Sequence, residues 1–587
     1  MNADRQMTAK LMFRLLPVQV LIAASGTVNG IITGLFASNS LGEQAMSAVG
    51  LYNPIQMFIG ALSTLLVGGA AILCGQYMGR NMQQRTQEIF SLDILAAALT
   101  GIILTAVLTL AGLFTSCRFF ARDVLLQPGF RRYLLGQVIG ILPLILGNQF
   151  AVFLSLENKT ARTTFASLVC IVCNTVLNYL FLYVMKLEVF GLGLASSLSM
   201  WVFLILEAQH FFSGKSSFRL RFVRPSGNDS AVLLKTGFPG AINYGYQALR
   251  GMLVNNLLLT YAGHAGVSAF AAVNSLLGLF WAIPGGMLAV SRMLMNISIG
   301  EEDRRTLADI MRTAMYRFVP LMFAVSLCLA FLAVPMTRLF FRDVQDPVYI
   351  DTLLGFRILP FCMPLSIICM HFACYGQSSG KHVLVHLLAL LDGVVCVAGF
   401  SALLMPKTGI SGVYYANILN GITTTLVILC CSVIKGKKYP RSMEELMVIP
   451  ASFGVPEEDR MDLSLRTLEE VSSVSEQIQD FCSRKGLDEK RSLYAGLFLE
   501  EMAGNVIEHG FSKDRRTHTV DIRTVYKNNS VILRIKDDCI PFDPQERSRL
   551  TNPEDPAENI GIRMVWQMAE EIQYRNILGL NVLTIRI

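Results

Sequence analysis

The chain has 587 residues, of which 53% are apolar and 16% are charged, with a formal net charge of +7 and a mean hydropathy of +0.48. Soluble domains carry about 25% charged residues, so this composition excludes a soluble globular protein and indicates an integral membrane protein. The positive charge is spread along the ends of apolar runs rather than concentrated in one patch, and we expect no nucleic-acid partner.

The apolar runs predict twelve transmembrane helices, because each run approaches the ~20 residues needed to cross a lipid bilayer. They span residues 11–37, 47–78, 88–115, 132–156, 162–185, 190–213, 233–262, 266–297, 309–336, 351–376, 380–404 and 410–434. With the amino terminus inside, 20 Lys and Arg residues fall in inside segments and 8 in outside segments. This bias predicts that both termini are cytoplasmic.

An internal duplication organises the helices. Three pairs of identical residues have the same separation along the chain, namely Ser47 and Ser268, Asn53 and Asn274, and Gly79 and Gly300. Matched apolar segments at a constant long separation are typical of a duplicated membrane unit. We therefore predict an all-α membrane domain of two six-helix lobes, with residues 1–225 as the N-lobe and its linker and residues 226–435 as the C-lobe.

The composition changes after the last apolar run. Residues 436–464 form a linker on the cytoplasmic side that follows the basic stretch of residues 435–442, and residues 465–587 are charged and contain no run long enough to cross a membrane. Helical patterns alternate with strand-like patterns in this last part. This order predicts an α/β sandwich, with helices on one face of a mostly antiparallel sheet.

Three motifs of this soluble domain carry chemistry. Glu501 and Asn505 lie four residues apart on a predicted helix and share one face, where they could orient a hydroxyl group and hold Mg²⁺ beside phosphates. Asp537 ends a predicted strand, where its carboxylate could accept from an exocyclic amine. Gly561 lies at a predicted helix N-terminus, whose free backbone N–H groups favour phosphate.

The order of these motifs resembles the histidine-kinase-type ATPase domain, and most closely the anti-sigma-factor serine kinases of bacteria. The resemblance covers residues 465–587 and implies ATP and Mg²⁺ as cofactors. It implies Glu501 as the catalytic base or water-positioning residue, Asn505 as the Mg²⁺ ligand, Asp537 as the adenine contact and Gly561 under the phosphates.

Three features of the soluble domain differ from this family. Cys539 stands where a glycine is usual, and residues 559–561 contain one glycine instead of two. The segment that corresponds to the lid, residues 545–558, is also short.

The first helix and the loop after it, residues 17–50, resemble the MATE multidrug exporters. The resemblance extends over residues 10–435 and implies two six-helix lobes around a cleft that opens to either side in turn. Together with the bacterial kinases it implies a multi-pass protein of a bacterial cytoplasmic (inner) membrane.

Polar residues at positions used by that family are amides in this chain. The acidic residue of the first helix corresponds to Asn29, and the Asn and Asp of the fifth helix correspond to Asn174 and Asn178, with Asn148 as a further member. An amide cannot release a proton. These residues could ligate a cation through their oxygens, or only hydrogen-bond between helices, and the sequence leaves both open.

Charged residues inside spans are costly in lipid and face a cavity or a partner. Arg250, Arg357 and Asp392 are of this kind, and Asp392 is the repeat counterpart of Asn174. One interpretation is an ion pair between Asp392 and one of the arginines. The other is that they line the transport cleft, Asp392 for ion coupling and the arginines for an anionic group of the substrate.

Two functions fit these features. The first is a MATE-like secondary transporter that exports a small organic substrate by alternating access, coupled to Na⁺ or H⁺, with a cytoplasmic ATP-binding module that regulates it. The second is a membrane sensor whose soluble domain is an anti-sigma-type serine/threonine kinase acting on an anti-anti-sigma-like protein. Whether the domain is a kinase, a weak ATPase or only binds ATP stays open.

Overall fold

The computed structural model describes residues 3–41, 43–80, 82–114, 127–214, 216–220, 227–341, 343–513, 518–527, 529–541, 543–544 and 560–587. The chain divides into two compact units. One comprises residues 12–155 and 159–448, and the other comprises residues 449–587 with residues 1–11 and 156–158.

Nineteen helices precede the soluble domain in the described part of the chain. They are α1 (Ala3–Phe36), α2 (Glu43–Gly79), α3 (Gln83–Phe114), α4 (Gln127–Val138), α5 (Ile141–Leu156), α6 (Thr160–Tyr179), α7 (Glu188–Phe212), α8 (Gly227–Tyr261), α9 (Gly263–Phe280), α10 (Ala282–Gly300), α11 (Arg304–Thr313), α12 (Val319–Phe331), α13 (Ala333–Arg338), α14 (Pro347–Ile358), α15 (Cys362–Ser378), α16 (His382–Leu390), α17 (Cys396–Thr408), α18 (Ser411–Gly436) and α19 (Met443–Leu446). π-Helical turns follow α1, α6, α11 and α16, at Ala37–Leu41, Leu180–Val184, Ala314–Phe318 and Leu391–Val395.

Every apolar run that predicted a transmembrane helix is helical. Among the described residues, ten helical stretches are long and apolar enough to cross a membrane, and α4 with α5, bent by 44°, makes an eleventh. The remaining predicted span corresponds to α8, which is long enough at 35 residues but more polar. The all-α multi-pass membrane domain is therefore confirmed.

The two halves meet where α2 crosses α10. A Cβ atom at Gly79 would overlap the carbonyl oxygen of Ile297, and a Cβ atom at Gly300 would overlap the carbonyl oxygen of Gln76. Gly79 and Gly300 are repeat counterparts, and Gln76 and Ile297 have the same separation along the chain. The residue that Gly79 contacts, Ile297, is thus the repeat counterpart of the residue that Gly300 contacts, Gln76. Two equivalent contacts of this kind are what a two-fold axis between the halves produces. This contact supports the two-lobed arrangement.

The soluble domain contains strands β1 (Arg460–Leu465), β2 (Val520–Lys527), β3 (Ser530–Asp537), β4 (Glu571–Ile577) and β5 (Leu580–Arg586), and helices α20 (Glu469–Arg484), α21 (Glu489–Asn505) and α22 (Ile560–Met568). The strand order is β1-β2-β3-β5-β4, and every neighbouring pair is antiparallel. The predicted α/β sandwich is confirmed. β1 is absent from the predicted strands, and it begins inside the segment assigned to the linker.

One apolar core holds this domain together. Ile478 of α20, Phe498 of α21 and Val565 of α22 are fully buried against the strand side chains Leu533 and Ile585. The helices cover this face because their apolar residues recur with helical spacing. α21 starts after Asp488, whose carboxylate caps the helix by accepting from the backbone N–H of Arg491. The core thereby fixes the carboxyl end of α21 beside the end of β3.

Candidate functional site

A cavity of about 730 Å³ opens in the soluble domain, between the end of α21, the end of β3 and the start of α22. Glu501, Asn505, Asp537 and Gly561 all line it. The four residues selected from sequence motifs are therefore brought together in one site, although they come from three separate elements. A cavity of this volume is within the range of small-molecule and cofactor sites, about 300–1,000 Å³.

The polar end of the cavity is built on the last turn of α21. The Asn505 side-chain nitrogen donates to Glu501 Oε1 at 2.7 Å. Since this bond uses the N–H group of the amide, the amide oxygen is the atom that can ligate a metal ion. Gly561 lies directly against this pair, because a Cβ atom there would overlap the Glu501 carboxyl group. A larger residue at this position would therefore require the Glu501 carboxyl group to move away from the start of α22.

Asp537 is buried and held in a defined orientation at the other side of the cavity. Its Oδ1 accepts from the Asn581 side-chain nitrogen at 2.7 Å and from the backbone N–H of Cys539 at 3.0 Å. Burial raises the pKa of the Asp537 carboxyl group above its ordinary value, and the hydrogen bonds from Asn581 and Cys539 oppose that rise. Asn581 is not among the residues selected from the sequence; it faces Asp537 because β5 pairs with β3.

The residues present fit a magnesium-bound nucleotide. Apolar side chains of Met502, Ile535, Ile562 and Leu583 line the cavity together with the carboxylates and amides, as a site for a flat base with a charged tail requires. The short lid, residues 545–558, lies outside the described residues, as does Asn559. Bound Mg²⁺ and nucleotide would supply a phosphoryl group; the protein residues would orient it.

In the membrane unit, three of the predicted amides form one chain of hydrogen bonds. Asn174 donates to Asn29 Oδ1 at 3.2 Å, and Asn178 donates to Asn174 Oδ1 at 2.9 Å. Within the described part of the protein, the buried Asn178 Oδ1 has no hydrogen-bond partner. Asn148 lies apart from this chain and donates to Ser63 Oγ at 3.3 Å. The group thus bridges α1 and α6 and keeps one acceptor oxygen available.

The charged residues of the C-lobe do not form the ion pair that the sequence left open. Asp392 Oδ1 accepts from the Asn420 side-chain nitrogen at 2.8 Å, and Arg250 reaches only the backbone oxygen of Asp392, at 3.4 Å. Among described residues, no ion pair joins Asp392 to Arg250 or to Arg357, which is exposed. Asp392 sits on a π-helical turn, a feature frequent at functional sites.

Two buried acids are missing from the residues selected by sequence. Asp93 on α3 and Glu207 on α7 are fully buried, and neither carboxyl group has a well-formed hydrogen bond among the residues that the structure describes. The hydroxyl of Thr163 lies beside the Glu207 carboxyl group. A Cβ atom at Gly147 would press against the Phe203 ring at 2.9 Å and would be in van der Waals contact with Glu207 Oε2 at 3.9 Å. The signal was available, since both residues are acidic and fall inside predicted spans.

Comparison with known proteins confirms both resemblances. Residues 22–180 match the MatE family model, and residues 465–587 match the histidine kinase-like ATPase domain. Similar solved structures include a MATE in complex with MaD3S, with 20% identity and a TM-score of 0.66 over 72% of this chain and 94% of that chain. An outward-facing multidrug resistance MATE family transporter of the MOP superfamily has 20% identity and a TM-score of 0.67 over the same shares.

A MOP superfamily transporter from Pyrococcus furiosus has 20% identity and a TM-score of 0.66, over 73% of this chain and 97% of that chain. The search of curated proteins gives no significant match. These results show a multi-pass membrane protein with the MATE transporter fold. Its carboxyl-terminal domain has the histidine kinase-like ATPase fold, which implies nucleotide binding, typically with Mg²⁺.

Proposed function

We propose that this protein is a secondary transporter that exports a small organic substrate by alternating access, and that its ATP-binding domain regulates this transport. MATE transporters handle small molecules and couple their movement to ions. The observation that carries the proposal is the reciprocal contact of Gly79 and Gly300, because two lobes related by a two-fold axis can rock about it to open a cleft to either side.

The resemblance of the soluble domain to bacterial kinases supports a bacterial cytoplasmic (inner) membrane, and the distribution of Lys and Arg supports both termini in the cytoplasm. In that orientation the soluble domain has access to cytoplasmic ATP. The nucleotide would meet Asp537 with its adenine and Asn505 with its Mg²⁺, while Gly561 lets the start of α22 approach the phosphates.

For ion coupling we propose Glu207 in the N-lobe and Asp392 in the C-lobe. The amides Asn29, Asn174 and Asn178 cannot carry a proton, whereas a fully buried carboxyl group with no ion pair among the described residues is most stable in its neutral form. Opening of the lobes to water would let Glu207 release its proton.

The remaining polar residues of the spans would serve the substrate or an alternative ion. Arg250 and Arg357 would attract an anionic group of the substrate. Na⁺ could bind Asn178 Oδ1, the acceptor oxygen that has no hydrogen-bond partner within the described residues.

Reconstitution tests the regulatory role. The full-length protein in lipid vesicles is compared with Asn505→Ala, and efflux of a fluorescent organic anion under an imposed H⁺ or Na⁺ gradient is measured with and without Mg-ATP. Gln477→Ala serves as the matched control, because Gln477 is an exposed amide on α20 outside the cavity. We expect ATP to change the flux in wild type and control but not in Asn505→Ala. Flux that ignores both ATP and the variant would refute regulation.

A second candidate function is a membrane sensor with a serine/threonine kinase domain, and the amides at the family's acidic positions favour it. Here Glu501 would accept the proton of a serine hydroxyl on an anti-anti-sigma-like partner as the hydroxyl attacks the γ-phosphate. Incubation with such a partner and labelled ATP distinguishes the two: label on serine that is lost in Glu501→Gln supports the kinase, and its absence leaves the transporter.

A further inference from the structure

A cluster of three different metal-binding side chains lies beside the nucleotide cavity. One ligand atom each of His518, Asp538 and Cys539 lies within 4.8 Å of the other two. His518 and Cys539 are at least nine-tenths buried, and Asp538 is partly exposed. None of these residues has a part in the nucleotide site proposed above except Cys539, whose side chain lines the cavity.

The sheet topology explains why residues so far apart in sequence converge. β2 and β3 are antiparallel, and the last pair of their ladder joins Val520 to Asp537. His518 lies two residues before this pair and Cys539 two residues after it. The register of the hairpin therefore brings the two side chains to the same end of the sheet, and Asp538 completes the group.

We propose that His518, Asp538 and Cys539 bind a zinc ion, and that this ion tunes the nucleotide site next to it. Thiolate, imidazole and carboxylate are the ligands that Zn²⁺ prefers, at about 2.3 Å for sulfur and about 2.0–2.2 Å for nitrogen and oxygen. A tetrahedron with such bonds has edges of roughly 3.3–3.7 Å. The three ligand atoms need only small movements to occupy its corners, and water fills the fourth.

The contacts of His518 are compatible with replacement of a shared proton by a metal ion. His518 Nδ1 lies 2.9 Å from Asp538 Oδ1, so the metal would take the position of the proton that these atoms share. The ring of His518 is held at 5.5 Å from the ring of Phe511. A sulfur and an imidazole nitrogen in one set disfavour Mg²⁺, which takes oxygen ligands, so the site would be distinct from the Mg²⁺ site at Asn505.

The link to the nucleotide passes through adjacent backbone. Cys539 donates its backbone N–H to Asp537 Oδ1 at 3.0 Å, so a metal that fixes the Cys539 side chain also fixes a donor that orients the adenine contact. This second part rests on the proposed nucleotide binding, whereas zinc binding itself does not.

Metal content tests the site. Full-length protein in detergent is dialysed against zinc and its bound metal is measured by mass spectrometry, alongside Cys539→Ser, His518→Ala and Asp538→Asn. Cys482→Ser is the matched control, because Cys482 is a buried cysteine of the α20 core. We expect one zinc ion fewer per chain, or at least tenfold weaker binding, in the three site variants and no change in the control.

Cobalt substitution gives an independent readout. A thiolate-to-cobalt charge-transfer band in wild type that disappears in Cys539→Ser, with unchanged circular dichroism, supports the site. Equal zinc content and an equal cobalt spectrum in wild type and Cys539→Ser would overturn it. If a site variant fails to fold, the isosteric Asp538→Asn decides the question.

A nucleotide titration tests the coupling. Binding of a fluorescent ATP analogue is measured in excess Mg²⁺ with zinc or with a zinc-selective chelator. We expect zinc to change the dissociation constant at least threefold in wild type and not in Cys539→Ser. Zinc binding without this change would refute the coupling alone, and zinc binding without any nucleotide binding would refute the proposed nucleotide function while the metal site stands.

Discussion

The two halves of the membrane domain share a scaffold but differ in the chemistry placed on it. Asn174 in the first half is the predicted counterpart of Asp392 in the second, and each accepts a hydrogen bond at Oδ1 from an amide, Asn178 and Asn420. The hydrogen-bond donor is an amide in both halves, but the acceptor is a titratable carboxyl group only in the second half. Both halves keep a glycine where α2 crosses α10, because a larger residue on either helix would disturb the same contact. The polar groups are not constrained in this way, so they differ between the halves.

The largest effect is expected at this crossing. Gly79→Ala and Gly300→Ala each add a methyl group against a backbone carbonyl of the other helix, so the helices must separate, and we expect each to destabilise the fold by about 1–3 kcal/mol. Thermal unfolding in detergent measures this. Gly278→Ala is the control, since among the described residues no atom outside its own helix lies within 4 Å of its Cβ position. A loss in only one of the two variants would contradict the reciprocal contact.

Next in size is the buried acid of the first half. Glu207→Gln keeps the size of a neutral carboxyl group but cannot release a proton, so we expect H⁺-driven efflux to fall about tenfold, or ~1.4 kcal/mol in barrier, with little change in thermal stability. Glu188→Gln on the same helix is the control, because Glu188 is exposed in its pair with Arg132. Undiminished H⁺-driven efflux in Glu207→Gln would remove this residue from coupling.

A smaller effect is expected for the acid of the second half. Asp392→Asn retains an oxygen that can accept from Asn420, and Asp392 is only partly buried, so we expect a loss of about threefold in efflux, or ~0.7 kcal/mol by the same relation. The flux assay used for Glu207→Gln measures it. A loss larger than that of Glu207→Gln would place the main coupling group in the C-lobe instead.

The smallest expected effect is a pH dependence of the free energy of unfolding. It should arise from Lys381 in the second half and not from Lys159 in the corresponding loop of the first half. Lys381, between α15 and α16, donates to the backbone oxygens of Met447 and Val448 at 2.7 and 2.6 Å. Burial lowers the pKa of its ammonium group to about 8. The folded state therefore binds fewer protons than the unfolded state above pH 8, and the free energy of unfolding rises with pH from there toward the ordinary lysine range.

Because Lys381 is partly exposed, solvent screening keeps this rise below about 1 kcal/mol. Unfolding measured between pH 7 and 10 should show it in wild type and lose it in Lys381→Met. Lys159→Met, in the corresponding loop of the first half, is the control, because Lys159 is exposed. A rise that persists in Lys381→Met would assign it to another group.

The fold was largely predictable because hydropathy reports burial in lipid directly. Hydropathy could not predict where the helices bend or break. The examples are the 44° bend between α4 and α5 and the break at Trp281 between α9 and α10. These depend on packing against other helices. β1 was not predicted because its alternating pattern is only six residues long and directly follows the acidic residues 457–459.

The nucleotide site was predictable from motifs because its main residues lie at the ends of α21, β3 and α22. Asn581 and His518 were not, since they reach Asp537 and Cys539 only through strand pairing. Glu207, in contrast, could have been selected from the sequence. It is a single acidic residue inside an apolar helix, and the rule that charged residues inside spans face a cavity or a partner, which selected Asp392, applies to it equally.

The reciprocal crossing of Gly79 and Gly300 has an evolutionary consequence. Such contacts form when a surface pairs with a copy of itself, and they are consistent with the duplication seen in the sequence. In a symmetric dimer of one repeat, any substitution would change both sides of the contact at once. In a single chain the two repeats can change independently, so one position can be asparagine and its predicted counterpart aspartate.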